Sequence, residues 1–451
     1  KHSSSKPFKD IGPYFPIIRD NLKFELTNAQ KRVIAEIHQD MKKKYSMNRL
    51  LQGDVGSGKT IVAILSASLA VGNNSQVAIM APTEILANQH YKSFQEELSQ
   101  ARITCCLLVG KMKKNDRLQM LSNIKNGNIS VVIGTHALIQ KDVVFKGLGL
   151  VIIDEQHRFG VEQRGKLTDK GSNPHFLSMT ATPIPRTLSI TYMGDMDLSI
   201  IDELPKNRIP ITTKIIHKNR LPRVYSFMKK QMDLGQQCMI VYPLIEESEK
   251  SDLAAAVEMY EKLKTNTFSK YQIGLVHGKM GAEEKKGVMQ KFQKNEVNII
   301  ISTTVIEVGI DVPNATVMLI EHAERFGLTQ LHQLRGRVGR GKEKSYCILV
   351  NRGSSDVSLS RLEIMEKTND GFKIADEDLM IRGPGDYVGY QQSGFVKYKI
   401  ANMITDGPII RKARVLATKL TKKDPLLDNH YKLKNRVLND YKDNLNLTNL
   451  N

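Results

Sequence analysis

Residues Gly53-Asp54-Val55-Gly56-Ser57-Gly58-Lys59-Thr60 complete the pattern G-x-x-x-x-G-K-[ST], which binds nucleotide phosphates for identifiable physical reasons. Glycines at 53, 56 and 58 let the backbone curl around phosphate oxygens with no Cβ in the way. Lys59 can reach the β- and γ-phosphates, and Thr60 can offer its hydroxyl to Mg²⁺. Further on, the apolar run Leu150-Val151-Ile152-Ile153 ends in Asp154-Glu155. Asp154 can hold the metal, directly or through its water, and Glu155 can orient and deprotonate an attacking water. A third cluster, Arg335-Gly336-Arg337-Val338-Gly339-Arg340, carries three arginines in six positions. On a helix, Arg337 and Arg340 share a face and can neutralise charge developing on a γ-phosphate. A basic helix that binds nucleic acid or is merely solvated is the other reading of that cluster. The chemistry on offer is hydrolysis of ATP with Mg²⁺.

Elements able to position these groups are legible around them. Asn48-Arg49-Leu50-Leu51 reads as a strand entering the phosphate loop, and Ile61 to Ala70 as a helix leaving it. The positive end of that helix then faces the anion. Short, almost wholly apolar runs follow at Val77–Met80, Ile103–Val109, Val131–Ile133, Leu150–Ile153 and Phe176–Met179. The rhythm resumes after Pro205 to Pro210, with runs at Met239–Val241, Ile273–Val276, Asn298–Ile301, Val317–Ile320 and Tyr346–Val350. Apolar strands alternating with helical stretches predict parallel sheets covered on both faces. The expected class is α/β: two tandem doubly wound parallel-sheet domains facing each other across a cleft, then a small helical and loop module. Expected boundaries are a linker or arm at 1–20, a nucleotide-binding domain at 21–205, a second domain at 206–350, and the terminal module at 351–451. Thr27 or Asn28 is placed to cap a helix running to about Lys44. The stretch Arg382-Gly383-Pro384-Gly385-Asp386-Tyr387-Val388-Gly389 reads as a Gly-rich loop, and 444–451 as a frayed end.

Composition narrows the function classes. The chain has 451 residues, 41% of them hydrophobic, which excludes a disordered protein, and its net charge of +19 favours a polyanionic partner such as nucleic acid. Cysteines 105, 106, 238 and 347 form no C-x-x-C pair and sit in apolar runs, so neither a disulfide framework nor a zinc site is expected. No apolar run approaches the roughly 18 residues of a membrane span, and no membrane partner is expected.

In order along the chain, these segments resemble the motif set of superfamily 2 helicases. Gly53 to Thr60 is similar to motif I, Ala81-Pro82-Thr83-Glu84 to motif Ia, Gly134-Thr135-His136 to motif Ib, and Asp154-Glu155-Gln156-His157 to motif II. Ser178-Met179-Thr180-Ala181-Thr182-Pro183 is similar to motif III, Thr303 to Asp311 to motif V, and Gln333 to Arg340 to motif VI. The resemblance implies two RecA-like domains. It implies that Gln30 reads adenine with Phe24 nearby, that Gly309 and Asp311 lie at the nucleotide, and that Gln333 acts with Arg337 and Arg340 in catalysis, with His157 reaching toward Gln333. Thr83, Thr135, His136 and Thr304 would touch one strand's phosphates, although each could as well be a helix cap; Thr180 and Thr182 would link the ATP site to the nucleic-acid track.

The subfamily shows in Ile184-Pro185-Arg186-Thr187-Leu188, in Asp378-Leu379 leading into Arg382 to Asp386, and in Gln391-Gln392-Ser393-Gly394. These are similar to the translocation motif of RecG-type fork-reversing DNA translocases and of the transcription-repair coupling factor. The RecG resemblance covers essentially the whole chain. It implies a bacterial-type, cytoplasmic, nucleoid-associated monomer that acts on duplex and branched DNA, forks and Holliday junctions included, with single-strand-binding protein as a further partner. Arg382 and Gln391 would couple hydrolysis to movement. In that family an N-terminal wedge with an oligonucleotide-binding fold splits the fork; none is read here, and the start at Lys1 fits the motor portion. The transcription-repair coupling motor, an RNA helicase and a nucleotide-gated DNA clamp are the alternatives.

Overall fold

The computed structural model describes residues 5–447 except 111, 156–158, 183–195, 206–207, 244–248, 304–311, 354–355 and 389–405. Two sheets, each wholly parallel, carry the architecture. The first runs in the order β3-β4-β2-β5-β6-β1-β7, with β1 Asn48–Gly53, β2 Gln76–Met80, β3 Cys105–Leu108, β4 Val131–Gly134, β5 Leu148–Asp154, β6 His175–Thr180 and β7 Asp197–Ile201. The second runs β10-β11-β9-β12-β13-β8, with β8 Thr212–His217, β9 Gln237–Tyr242, β10 Ile273–Val276, β11 Ile299–Thr303, β12 Ala315–Ile320 and β13 Tyr346–Asn351. These are two RecA-like lobes.

The inner strands are buried over most of their length because helices cover both faces. Leu50, Leu51, Val77, Ile79, Ile152 and Leu177 are inaccessible in the first lobe, as are Met239, Ile300, Val317 and Leu319 in the second. Both lobes solve the same stitching problem with a buried glutamine at a strand start. Gln76 Nε2 donates to the carbonyls of Ile124 and Ile129, and Gln237 Nε2 to those of Phe292 and Val297.

The stretch expected to be an arm folds onto the first lobe instead. Helix α1, Tyr14–Asp20, precedes α2, Asn28–Met41, and Phe8 and Ile18 are both buried in the first lobe's core. Thr27 caps α2 through a reciprocal box with Gln30. The next four helices of the first lobe are α3 Lys59–Gly72, α4 Glu84–Ser99, α5 Lys114–Asn126 and α6 Val161–Thr168.

Two compact units divide the chain, residues 1–183 with 197–378, and residues 184–196 with 379–451. The first unit contains both sheets; helices Gly407–Lys423 and Tyr431–Leu447 belong to the second. The expected Gly-rich loop is helical in part: one helix runs Gly371–Val388, through Gly383-Pro384-Gly385, against the propensity of those residues. Burial of Phe372, Ile374, Ala375, Asp378 and Leu379 anchors its leading half, and extending an existing helix is easier than starting one. Among the described residues, no helix is long and apolar enough to cross a membrane.

Candidate nucleotide and nucleic-acid site

Strands β5, β6 and β1 are neighbours, so their carboxyl ends deliver Asp154, Thr180 and Gly53 to one edge of the sheet. The phosphate loop follows β1. Gly56 and Gly58 adopt φ of 76° and 83°, left-handed values that a side chain would strain, and a Cβ at Gly58 would also collide with the Gln30 amide. No side chain caps α3, so its first N–H groups remain directed at the loop. The buried Ser57 hydroxyl finds no partner among the described residues.

Lys59 Nζ folds back onto its own loop, donating to the carbonyls of Gly53 at 2.8 Å and Asp54 at 2.9 Å. Burial lowers its pKa, opposed by the charges of Glu155, Asp154 and Asp54. Asp154 Oδ2 meets His90 Nε2, from α4, at 2.8 Å. Burial would raise the Asp154 carboxyl, but the hydrogen bond and charge of His90 and the charge of Lys59 outweigh it and hold the group below the usual carboxylate range. Glu155 goes the other way: burial and the Asp154 charge push it up, against the pull of Lys59 and Arg337. Two adjacent carboxyls with opposed shifts suit one to metal binding and the other to accepting a proton. Glu155 sits at φ 52°, a strained left-handed backbone of the kind that clusters at reactive sites.

Thr180 Oγ1 lies 3.5 Å from Glu155 Oε2 and accepts from Thr182 N at 3.1 Å. Gln333 Nε2 of the second lobe donates to Thr182 Oγ1 at 2.8 Å. Arg337 and Arg340 do not share a helix face. The helix Leu328–Arg335 stops at Gly336, and Gly339 at φ 76° continues the turn that carries both arginines. Gly336 is needed for contact as well: a Cβ there would come within 2.8 Å of the Val55 side chain, so only glycine lets this turn rest on the phosphate loop. The charge of Arg337 reaches Glu155.

Gln30 is 2% exposed and already engaged. Its Oε1 accepts from Thr27 N at 2.9 Å and its Nε2 donates to the Ser57 carbonyl at 2.9 Å, so the side chain shapes the phosphate loop. Phe24 is 48% exposed and lines an apolar cavity of about 670 Å³ with Phe15, Leu22 and Ile34, a wall to which Gln30 does not contribute. Thr83 and His136 line one small cavity of about 290 Å³ with Pro82, Phe159 and Gln163. Thr83 also accepts from Leu86 N as the cap of α4, whereas Thr135 beside His136 is buried. Thr304, Gly309, Asp311, Gln391 and His157 lie outside the described residues, as does the Arg382 side chain.

Several polar groups at the site escaped sequence reasoning. His90 supports Asp154 from 64 positions away. Arg208, between the two lobes' strands, donates to the Val55 carbonyl, and its guanidinium lies where a Cβ on Gly56 would sit. Asp54, His332 and Arg335 join in a buried array described below. His90 and Arg208 have no local signal beyond an isolated polar residue, while Asp54 and Arg335 lie inside segments already singled out, with nothing local to mark their partners.

The residues present fit a magnesium nucleotide. Thr60 and Asp154 offer hard oxygen donors, and a single carboxylate with a hydroxyl suits Mg²⁺, which keeps waters and substrate phosphates as its remaining ligands. Among the described residues no cluster of three or more His, Cys, Asp or Glu could hold a metal by itself.

A fully parallel two-lobed fold with a phosphate loop, an acid pair at β5 and an arginine turn on the second lobe defines the superfamily 2 helicase class. The chain matches the DEAD/DEAH box helicase family over residues 27–190, the helicase conserved C-terminal domain over 219–342, and domain 3, C-terminal, of ATP-dependent DNA helicase RecG over 368–451. It is 47% identical to the ATP-dependent DNA helicase RecG of Synechocystis sp., over 98% of this chain and 53% of that protein. Against the protein of that name from Aquifex aeolicus it is 50% identical, over 95% and 55%. The chain belongs to the RecG family. It spans about half the length of the curated relatives it matches. Among solved structures, RecG bound to a three-way DNA junction superposes with a TM-score of 0.76 at 45% identity, covering 90% of this chain and 53% of that one. The yeast protein Dbp5 bound to RNA and ADP BeF3, at 17% identity and a TM-score of 0.57 over 91% of this chain and 100% of that one, shares the fold.

Proposed function

We propose that this chain is an ATP-driven motor that translocates on duplex DNA and remodels branched DNA, reversing stalled forks and migrating Holliday-type junctions in recombination and repair. The observation that carries the reading is the continuous polar path from Glu155 through Thr180 and Thr182 to Gln333, which ties the acid of one lobe to the arginine turn of the other. Mg²⁺ held by Thr60 and Asp154 would neutralise phosphate charge. Lys59 leaves the Gly53 and Asp54 carbonyls for the β- and γ-phosphates, Glu155 takes a proton from water, and Arg337 and Arg340 meet the charge that develops. Because the arginines arrive on the second lobe, hydrolysis depends on closure, and closure moves whatever the lobes hold.

Thr83 and His136 suit contacts with a strand's phosphates, and Arg382 and Gln391 suit the coupling of closure to movement. The net charge of +19 favours a phosphate backbone as track. A cytoplasmic, nucleoid-associated monomer with single-strand-binding protein as a further partner completes the proposal. Steady-state ATPase at fixed salt with no nucleic acid, single-stranded DNA, duplex DNA, forked DNA and RNA tests the reading. Strong stimulation by duplex or forked DNA over RNA is expected; preference for RNA, or turnover indifferent to nucleic acid, would overturn it.

A further inference from the structure

We propose that Asp54, His332 and Arg335 form a positioning relay that registers the state of the phosphate loop to the second lobe and to the first turn of the helix Gly371–Val388. Asp54 occupies a position of the phosphate-binding pattern that asks for no particular side chain. Its carboxylate is nonetheless buried and fully engaged. Oδ1 accepts from His332 Nε2 at 2.5 Å and from Val55 N at 2.6 Å, and Oδ2 accepts from Gly371 N at 3.1 Å.

The geometry dictates how the relay is wired. Arg335 Nη2 lies 2.9 Å from His332 Nδ1. A guanidinium has only donors, so Nδ1 must present its lone pair, and the imidazole proton therefore sits on Nε2, facing Asp54. Arg335 thus selects the tautomer that lets His332 hold the phosphate loop. Arg335 is 2% exposed, and its other nitrogen, Nη1, donates to the carbonyls of Met365 at 2.8 Å and Thr368 at 2.9 Å and to Thr213 Oγ1 at 3.3 Å. Those carbonyls close the helix Asp356–Lys367, whose last acceptors have no partner within the helix. Among the described residues, Arg335 makes no direct ion pair; the carboxylate answering its charge is Asp54, one imidazole away.

A buried array of this kind has few alternative arrangements, since displacing one member leaves another polar group unpaired. The loop end of the array is the part that must change in each cycle. Lys59 Nζ bonds the carbonyls of Gly53 and of Asp54 itself, so when the lysine turns to phosphate the Asp54 backbone loses a restraint. Any shift of Asp54 is felt at once by His332 Nε2 and Gly371 N. The helix that Gly371 begins includes position 382, so the relay gives the nucleotide a path to the segment assigned to movement, a step that rests on the translocase reading above.

ATPase rates without DNA and at saturating duplex DNA, with fluorescent-nucleotide affinity in parallel, test this in the wild type, Asp54→Ala, His332→Ala and the double variant. Each single variant should lose about tenfold of its DNA stimulation while nucleotide affinity changes less than the stimulation does, and the double variant should lose no more than the worse single one. Arg335→Lys keeps the charge but cannot serve Nδ1 and two carbonyls together, so it should match His332→Ala even if Asp54→Ala proves too unstable to assay. Full DNA stimulation in His332→Ala or Arg335→Lys, losses that multiply in the double variant, or affinity falling in step with stimulation would overturn the relay. A wild type that DNA does not stimulate would instead overturn the translocase reading.

Discussion

Gln333 Nε2 on the second lobe donates to Thr182 Oγ1 on the first at 2.8 Å, and Thr182 N in turn donates to the Thr180 hydroxyl that faces Glu155. This bond makes the second lobe's arginine turn dependent on the segment that supports the acid. Gln333→Ala should lower DNA-stimulated kcat by about tenfold with a smaller change in nucleotide affinity, since Lys59 and the loop glycines are untouched. A parallel loss of affinity and kcat would mean that Gln333 binds nucleotide instead of linking the lobes.

His90 is the support that keeps Asp154 ionised in a buried setting. Removing such an outer partner typically costs 10- to 100-fold in metal affinity. The Mg²⁺ concentration giving half-maximal ATPase should therefore rise by about tenfold or more in His90→Ala, with saturating Mg²⁺ restoring much of the rate. An unchanged Mg²⁺ requirement would remove Asp154 from the metal site.

Glu155 has a raised pKa, chiefly through burial and the neighbouring Asp154 charge. A base must be deprotonated to act, so kcat/KM should fall on acidification at a pH above the ordinary carboxylate value of about 4.3. Glu155→Gln should abolish turnover while nucleotide binding persists. An acid limb unchanged by moving from Glu155 to Asp at this position would assign the titration elsewhere.

His175 is buried at the start of β6, its Nδ1 accepting from Met47 N at 3.0 Å, its Nε2 3.3 Å from the Lys6 carbonyl and its ring edge-on to Phe8. Burial pushes its pKa down to about 4. The unfolded chain takes up the proton near pH 6.5 and the folded one resists until about 4, so stability is lost as pH falls through that window. Between pH 7.5 and 5.0 the loss is about 2 kcal/mol, and His175→Asn should remove most of it in denaturant unfolding followed at both pH values. Equal pH dependence in the two proteins would show that other groups set it.

What the sequence made legible follows from burial. Inner parallel strands are covered on both faces and read as continuous apolar runs, so β2, β4, β5, β6, β9, β11, β12 and β13 were anticipated, together with the apolar edge strands β3 and β10. Edge strands β7 and β8 alternate buried with more accessible positions and were not read as strands within the domains that contain them. The phosphate loop is one unbroken segment and Asp154-Glu155 another, so each could be read without tertiary information. Arg337 and Arg340 were assigned to the right segment but the wrong local structure, because Gly336 ends the helix before them. His90, Arg208, His332 and Arg335 were invisible as functional groups because each acquires its role from a partner or pocket that only folding supplies.

The proposed function requires ATP hydrolysis to drive this chain along duplex DNA. Displacement of a third strand from a DNA triplex reads that movement directly. With ATP and Mg²⁺ the wild type should release the third strand, whereas Lys59→Ala, or the wild type with ADP, should release none above the protein-free rate. Duplex-stimulated ATP turnover with no strand release would contradict the account, leaving an ATPase that DNA switches on but does not carry.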